Sequence, residues 1–187
     1  ALVLPCYNEE AVLNETISRL TRVLEELIAK EKISPDSFMV FVDDGSKDKT
    51  WEIIETASNQ NSFVKGLKLS KNQGHQNALW AGMEYVVDKC DCLITIDADL
   101  QQDENSIEEF VDKYIDGSEV ILGIRNDRAS DSFFKKTTAL GFYKLMEVMG
   151  VHVIKNHADY RLLSNRANKS LMQFQEVNLF LRGLVPL

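Results

Sequence analysis

Two acidic clusters carry the chain's most evident chemistry: Asp43 and Asp44 in VDDGS, and Asp97 and Asp99 in ITIDADLQQD. In the second, two carboxylates flank one alanine, with the Gln101 carboxamide two residues further on. Such hard oxygen donors suit Mg²⁺ or Mn²⁺, ions that keep some of their water and share the oxygens of a substrate phosphate. A nucleotide diphosphate is the natural co-ligand. The competing role for an Asp in a loop is to bend the chain or cap a helix. That role ranks below metal binding for Asp99 and about level with it for Asp103. Arg125 and Arg128, with Lys135 and Lys136 beyond them, supply matching cations, and a guanidinium meets phosphate oxygens as a two-pronged fork. Singly, each of these four could equally solvate a surface loop; as a group they read as phosphate handling. His75, in SKNQGHQNAL, fits a phosphate or ribose contact and equally a plain helix start. The three histidines show no zinc spacing, and no Ser or Cys is placed to complete a nucleophilic triad.

The elements that hold these groups follow from hydrophobic periodicity. Ala1–Leu4, Phe38–Val42, Phe63–Leu69, Cys92–Ile96 and Glu119–Gly123 are short strand-like runs. The fourth is almost wholly apolar, as a central parallel strand should be. Asn8 reads as a helix cap with Glu9 and Glu10 in the favourable first turn, and Leu13, Ile17, Leu20, Leu24 and Leu27 then recur at helical spacing. Trp51, Ile54 and Ala57 mark a second helix, Gln76–Val87 a third and Glu104–Ile115 a fourth. After Gly123 the rhythm breaks: a helix-like segment at Phe133–Met149, a short strand at Tyr160–Leu163 and a helix-like tail from Arg166. Repeated βα units imply an α/β domain with a mostly parallel central sheet and helices on both faces. One domain, residues 1–187, is expected. Ligands of open α/β sheets bind outside the carboxyl ends of the strands. There the chain places PCYNEE, DDGS, DADLQQD and GIRNDR, so Asp43, Asp44, Asp97 and Asp99 are expected to face one acidic crevice.

Composition narrows the field. The chain has 187 residues, 44% hydrophobic and 27% charged, enough to bury a core. With 21 Lys and Arg against 29 Asp and Glu, its net charge of −8 lacks the footprint of a general nucleic-acid binder. No apolar run reaches the roughly 18 residues that span a bilayer. Three cysteines without metal-like spacing read as reduced thiols in or beside strands, which fits a cytosolic compartment. The start in mid-strand without Met reads as a piece of a longer protein, whose further part is expected to hold a membrane anchor.

PCYNEE, VDDGSKDKTWEII, LSKNQGHQNALWAG, ITIDADLQQD and ADYRLLSN, in that order, resemble the inverting family 2 glycosyltransferases with the GT-A (nucleotide-diphospho-sugar transferase) fold. The resemblance runs over nearly the whole chain. With VNLFLRGLVPL at its end, the chain looks closest to the polyisoprenyl-phosphate glycosyltransferases of the bactoprenol glucosyltransferase and dolichol-phosphate mannosyltransferase type. The resemblance implies that Pro5, Tyr7, Asn8 and Glu9 hold the nucleotide base and ribose, and that Asp44 contacts the base. It makes Asp97, Asp99 and Gln101 the metal site, Arg125 a phosphate-binding residue and Arg128 a second match. Asp159, in ADYR, matches the acidic position near the acceptor. Tyr160 and Asn165 stand where many relatives have smaller or basic residues, and Lys135 or Lys136 stands where some have a second phosphate-binding arginine.

The implied reaction joins a nucleotide-sugar donor, UDP-glucose first and GDP-mannose second, to a polyisoprenyl phosphate with inversion. It is expected at the cytoplasmic face of a membrane, without nucleic acid. A sugar hydroxyl acceptor would need a general base. A phosphate monoester, with a second pKa of about 6, is already largely ionised at neutral pH. For that acceptor Asp159 is a positioning group. The rival within the same family uses a sugar hydroxyl, but the QxxRW of processive synthases is not in this chain, and FLRG at Phe180–Gly183 favours the lipid-phosphate subgroup. A signalling receiver would need its acidic doublet after the first strand and a lone Asp after the third. A P-loop NTPase would need GxxxxGK[ST]. A non-catalytic nucleotide-sugar-binding domain is the remaining alternative, and the intact donor motifs weigh against it.

Overall fold

The computed structural model describes residues 1–124, 157–174 and 181. The chain starts with β1 (Leu2–Cys6), α1 (Leu13–Ala29), β2 (Met39–Asp43) and α2 (Thr50–Gln60). It continues through β3 (Val64–Lys68), α3 (His75–Val86), β4 (Cys92–Thr95) and α4 (Ser106–Ile115). The last described elements are β5 (Val120–Ile124), β6 (His157–Ser164) and α5 (Asn165–Leu171). The six strands form one sheet in the order β3-β2-β1-β4-β6-β5. The expected α/β architecture is present. The helix-like segment expected at Phe133–Met149 lies outside the described residues, as do Arg125, Arg128, Lys135 and Lys136.

Strand alternation divides the core between two faces. Leu2 and Leu4 of β1, with Met39 and Phe41 of β2, point to the side covered by α1, α2 and α4. Val3, Val40 and Val42 point to the other side and meet Ala78, Leu79 and Met83 of α3, a layer that also takes Leu171 of α5 and Leu181. Because side chains alternate with a period of two, strands covered on both faces must be apolar at every position. All five residues of β1 and of β2 are buried, and the one charged group among them is Asp43 at the carboxyl end of β2.

β6 is the departure from simple βα repetition. It runs antiparallel to both neighbours, pairing Thr95 of β4 with Arg161 and Leu122 of β5 with the same Arg161. The short strand expected at Tyr160–Leu163 is thus eight residues long and sits inside the sheet rather than on its rim. Its reversed direction brings its amino-terminal end, with Asp159, to the carboxyl end of β4. The Thr95 hydroxyl donates to the Asp159 carbonyl there.

A second departure concerns the start of α1. Asn8 does not cap it: the helix begins at Leu13, and Val12 at its cap position makes no side-chain hydrogen bond. The Glu9 carbonyl instead accepts from the backbone N–H groups of Val12 and Leu13. Asn8 adopts a left-handed conformation (φ 57°) and turns its side chain to another loop, a geometry that asparagine tolerates better than most residues.

Among the described residues no helix is long and apolar enough to cross a membrane. Cys6, Cys90 and Cys92 are free thiols, as the sequence implied. Burial pushes all three upward, Cys92 to about 11, so they are packing groups rather than nucleophiles.

The tightest helix–sheet approach is at Gly82 of α3, where an added methyl would lie 2.4 Å from Val3 Cγ1 and 2.9 Å from Val42 Cγ2. Overpacking of this kind costs about 1–3 kcal/mol. Gly82→Ala is expected to lower the unfolding free energy by that amount in urea titrations, despite alanine's better helix propensity.

Candidate active site

The strand order reverses between β1 and β4: from β1 the chain moves outward through β2 and β3, then returns to place β4 on the opposite side. Carboxyl ends diverge at such a switch point and leave a crevice. Here it is a cavity of about 320 Å³. Pro5, Tyr7 and Glu9 line it from the β1 side, and Asp44 from the end of β2. Asn72, Gly74 and His75 enter from the connection to α3, and Asp97 and Asp99 from the end of β4. A larger cavity, about 390 Å³, lies at the opposite strand ends between Leu24, Phe38, Ile94 and Tyr114. Its lining holds none of the carboxylates that follow β1, β2 and β4, so chemistry rather than size picks the crevice at the switch point.

The loops around the crevice are fastened to one another through side chains. The Asn8 N–H donates to Ser46 Oγ at 2.9 Å, and Asn8 Oδ1 accepts from the Lys47 N–H at 2.8 Å. The Glu9 N–H donates to Thr50 Oγ1, the Glu10 N–H to Asp48 Oδ2, and Glu10 Oε2 accepts from the Lys49 N–H. NEE after β1 and GSKDKT after β2 are therefore two halves of one polar seam. Asp44 extends it: its carboxylate accepts from the N–H groups of Gln73 (2.6 Å) and Gly74 (2.9 Å). Gly45 makes the close approach possible. Its φ is 70°, and a Cβ there would stand 2.7 Å from the backbone of Lys71 and Asn72.

The Asp97–Asp99 loop is held from four directions. Thr16 of α1, fully buried, donates its hydroxyl to the Ala98 carbonyl at 2.8 Å. Arg19, one helical turn on, forms an ion pair with the buried carboxylate of Glu104. The Tyr160 hydroxyl donates to the Asp103 carbonyl. Gln102, itself buried, grips Asp97 by both ends of its amide. Between these anchors Leu100 takes a left-handed φ of 59°, a strain of order 1–3 kcal/mol that surrounding structure must hold in place.

Asp97 Oδ1 lies 3.0 Å from His75 Nε2. His75 is the first residue of α3, the helix start expected of it, and it also lines the crevice. The neighbouring Gln76 Nε2 is 3.3 Å from His75 Nδ1 and donates to Asp159 Oδ2 at 3.5 Å. Asp159 is buried and pairs through Oδ1 with the fully buried guanidinium of Arg161. A line of polar contacts thus links Asp97 to Asp159 across the start of α3. Gln101 is exposed and outside the cavity lining; its backbone N–H donates to Asp99 Oδ1. Asp43, fully buried, also lies outside that lining, with Oδ1 accepting from the Ser46 N–H. Of the four strand-end aspartates expected to share a crevice, three do.

The crevice is electronegative. Among the described residues that line it the charged groups are the carboxylates of Glu9, Asp44, Asp97 and Asp99, and none is Lys or Arg. Burial pushes the Glu9 carboxyl up, and the charges of Asp99, Asp48 and Asp97 push it further. Among the described residues no three His, Cys, Asp or Glu groups are drawn onto one point as a ready-made metal cage. A divalent ion that keeps water and takes phosphate oxygens needs only one or two carboxylates. Asp97 and Asp99, with Glu9 beside them in the same lining, fit that requirement.

Three comparisons place this geometry among known proteins. The model of glycosyl transferase family 2 matches residues 1–178. The chain belongs to that family. Its relatives include "Uncharacterized glycosyltransferase YkoT" of Bacillus subtilis, 50% identical over 100% of this chain and 55% of that protein. The "Prophage bactoprenol glucosyl transferase homolog" of Escherichia coli is 33% identical over 99% of this chain and 58% of that protein. The chain spans about half the length of the curated relatives it matches. A mannosyltransferase from Pyrobaculum calidifontis, solved with GDP-Man and Mn²⁺, aligns at a TM-score of 0.59 and 15% identity, over 91% of this chain and 45% of that one. The architecture is the GT-A fold of family 2.

Arg161, Gln102, Gln76 and Thr16 escape a reading of motifs alone. For Arg161 a signal existed: residues two apart on a strand share a face, so the D and R of ADYR stand side by side. For Thr16 there was none, because only the fold brings α1 over the β4 loop.

The crowding of carboxylates makes a directional prediction. A raised folded-state pKa means that the folded protein binds the Glu9 proton more tightly than the unfolded chain does. Stability is therefore lost as pH rises from the ordinary glutamate range through the folded value. Glu9→Gln is expected to raise the melting temperature at pH 7 and to leave it unchanged in acid below the ordinary glutamate pKa. Thermal melts of both proteins across pH check this.

Proposed function

We propose that this chain is the catalytic part of an inverting glycosyltransferase that moves a sugar from a nucleotide-diphosphate donor to a polyisoprenyl phosphate. UDP-glucose is the first donor choice and GDP-mannose the second. The observation that carries the reading is the pairing of Asp159. Its carboxylate accepts from Arg161 through Oδ1 and from Gln76 through Oδ2, so both oxygens are already engaged within the protein. A group so held suits an acceptor that arrives already ionised, as a phosphate monoester does, better than one whose proton must be removed. The bactoprenol glucosyl transferase homologue among the relatives supports the same acceptor.

In this reading the seam between the first two loops holds the nucleotide. Tyr7, 40% exposed at the mouth of the crevice, offers its ring to the base. Asp44 lies below and fixes the Gln73–Gly74 turn as well as offering a carboxylate edge. Asp97 and Asp99 would hold the divalent ion, with Gln101 as a further ligand. When bound, that ion supplies positive charge to the diphosphate as it leaves. Arg125, and with it Arg128, Lys135 and Lys136, serve the phosphates of donor and acceptor. Asp159 and Arg161 orient the acceptor on the face of the sugar opposite the leaving group, which inverts the anomeric centre. The work takes place at the cytoplasmic face of a membrane, where a polyisoprenyl phosphate is presented.

The deciding assay offers labelled UDP-glucose and GDP-mannose to the full-length protein in detergent, with undecaprenyl phosphate or a simple alkyl glucoside as acceptor. Label is expected in the lipid phosphate alone, to vanish with EDTA and to return with Mn²⁺. Label in the glucoside alone would refute the acceptor, and full activity in EDTA would refute the metal. Asp99→Asn is expected to slow transfer by roughly 10²–10³-fold, the loss seen when one group that stabilises a developing anion is removed. Its melting temperature should stay near that of the unsubstituted protein.

A further inference from the structure

We propose that Gln102, the second glutamine of DADLQQD, is the positioning residue of the metal-binding carboxylate Asp97. Gln102 Nε2 donates to Asp97 Oδ2 at 2.6 Å, and Gln102 Oε1 accepts from the Asp97 N–H at 3.1 Å. One amide therefore fixes both the backbone and the carboxylate plane of the same residue. Gln102 is buried, 7% exposed, whereas the adjacent Gln101 is exposed and touches Asp99 through its backbone alone. The two glutamines thus have separate tasks, and the buried one stands behind Asp97 without itself lining the crevice.

The grip has a chemical consequence. With Oδ2 engaged, Asp97 presents Oδ1 to the crevice, where His75 Nε2 meets it at 3.0 Å. A monodentate oxygen held in a fixed direction is what an ion with strict octahedral demands requires. A freely rotating carboxylate would offer both oxygens in turn and lose affinity to its own freedom. Partners that orient a ligating carboxylate in this way are worth about 10–100-fold in metal affinity.

This inference rests on the metal reading above, and its test separates the two. Binding of UDP to the full chain is titrated with Mn²⁺, and the Mn²⁺ concentration at half-effect is compared between the unsubstituted protein and Gln102→Met, which keeps size and loses both hydrogen bonds. That midpoint is expected to rise at least tenfold, while UDP affinity at saturating Mn²⁺ returns to within about twofold. A purely structural role would instead weaken UDP binding equally at every Mn²⁺ concentration, and that result would overturn the proposal. Gln102→Asn, polar but one methylene short of reaching both Asp97 atoms, is expected to shift the midpoint in the same direction and serves if the Met variant does not fold. An unchanged midpoint in a folded variant sinks the role of Gln102 alone. If the unsubstituted protein binds UDP with no dependence on Mn²⁺, the metal reading falls and the inference with it.

Discussion

The structure depends on acidic side chains that satisfy backbone N–H groups where regular secondary structure stops. At the carboxyl end of a parallel strand the ladder ends, and the connecting loop must find other acceptors for its donors. Here Asp43 accepts from Ser46, Asp44 from Gln73 and Gly74, Asp48 from Glu10 and Thr50, and Asp99 from Gln101. Charge-assisted bonds of this kind are about twice as strong as neutral ones. They fix loops that have no hydrophobic core of their own. The excess of acidic over basic residues is in part a scaffold for the crevice rim.

The same device accounts for the division of labour at the site. Carboxylates whose oxygens are taken by backbone donors shape the crevice; those with an oxygen turned inward give it chemistry. Asp44 belongs to both groups, being buried, tied to the α3 connection and part of the cavity wall. The Asp97 carboxylate is tied by side chains rather than by the main chain, Oδ2 to Gln102 and Oδ1 to His75. Asp159 is set by an ion pair inside the sheet. Three acids at three strand ends are thus immobilised by three different means.

Much of this was legible in the residues. The strand and helix periods gave the order of elements up to β5 within a few residues, because the strands are covered on both faces and the helices on one. The crevice followed from the rule on carboxyl ends and from DDGS and DADLQQD. Two things were not legible. Asn8 has the chemistry of a helix cap, and its diversion to Lys47 depends on a loop 39 residues away. The place of β6 within the sheet likewise depends on pairing with two strands at once, which no local pattern encodes. Of two adjacent glutamines, the one that grips Asp97 could be told apart by burial alone.

The place of β6 bears on how the domain is made. Among the described residues β5 pairs with β6 alone, and β6 separates it from β4. As the chain leaves the ribosome, β2, β3 and β4 each find a partner already made, whereas β6, the described partner of β5, begins 33 residues after Ile124, at His157. Until β6 is made, β4 and β5 both lack the neighbour that it supplies, and an open edge of that kind is one on which chains aggregate. Joining β5 to the rest of the described sheet and bringing Asp159 to the carboxyl end of β4 are then a single late event.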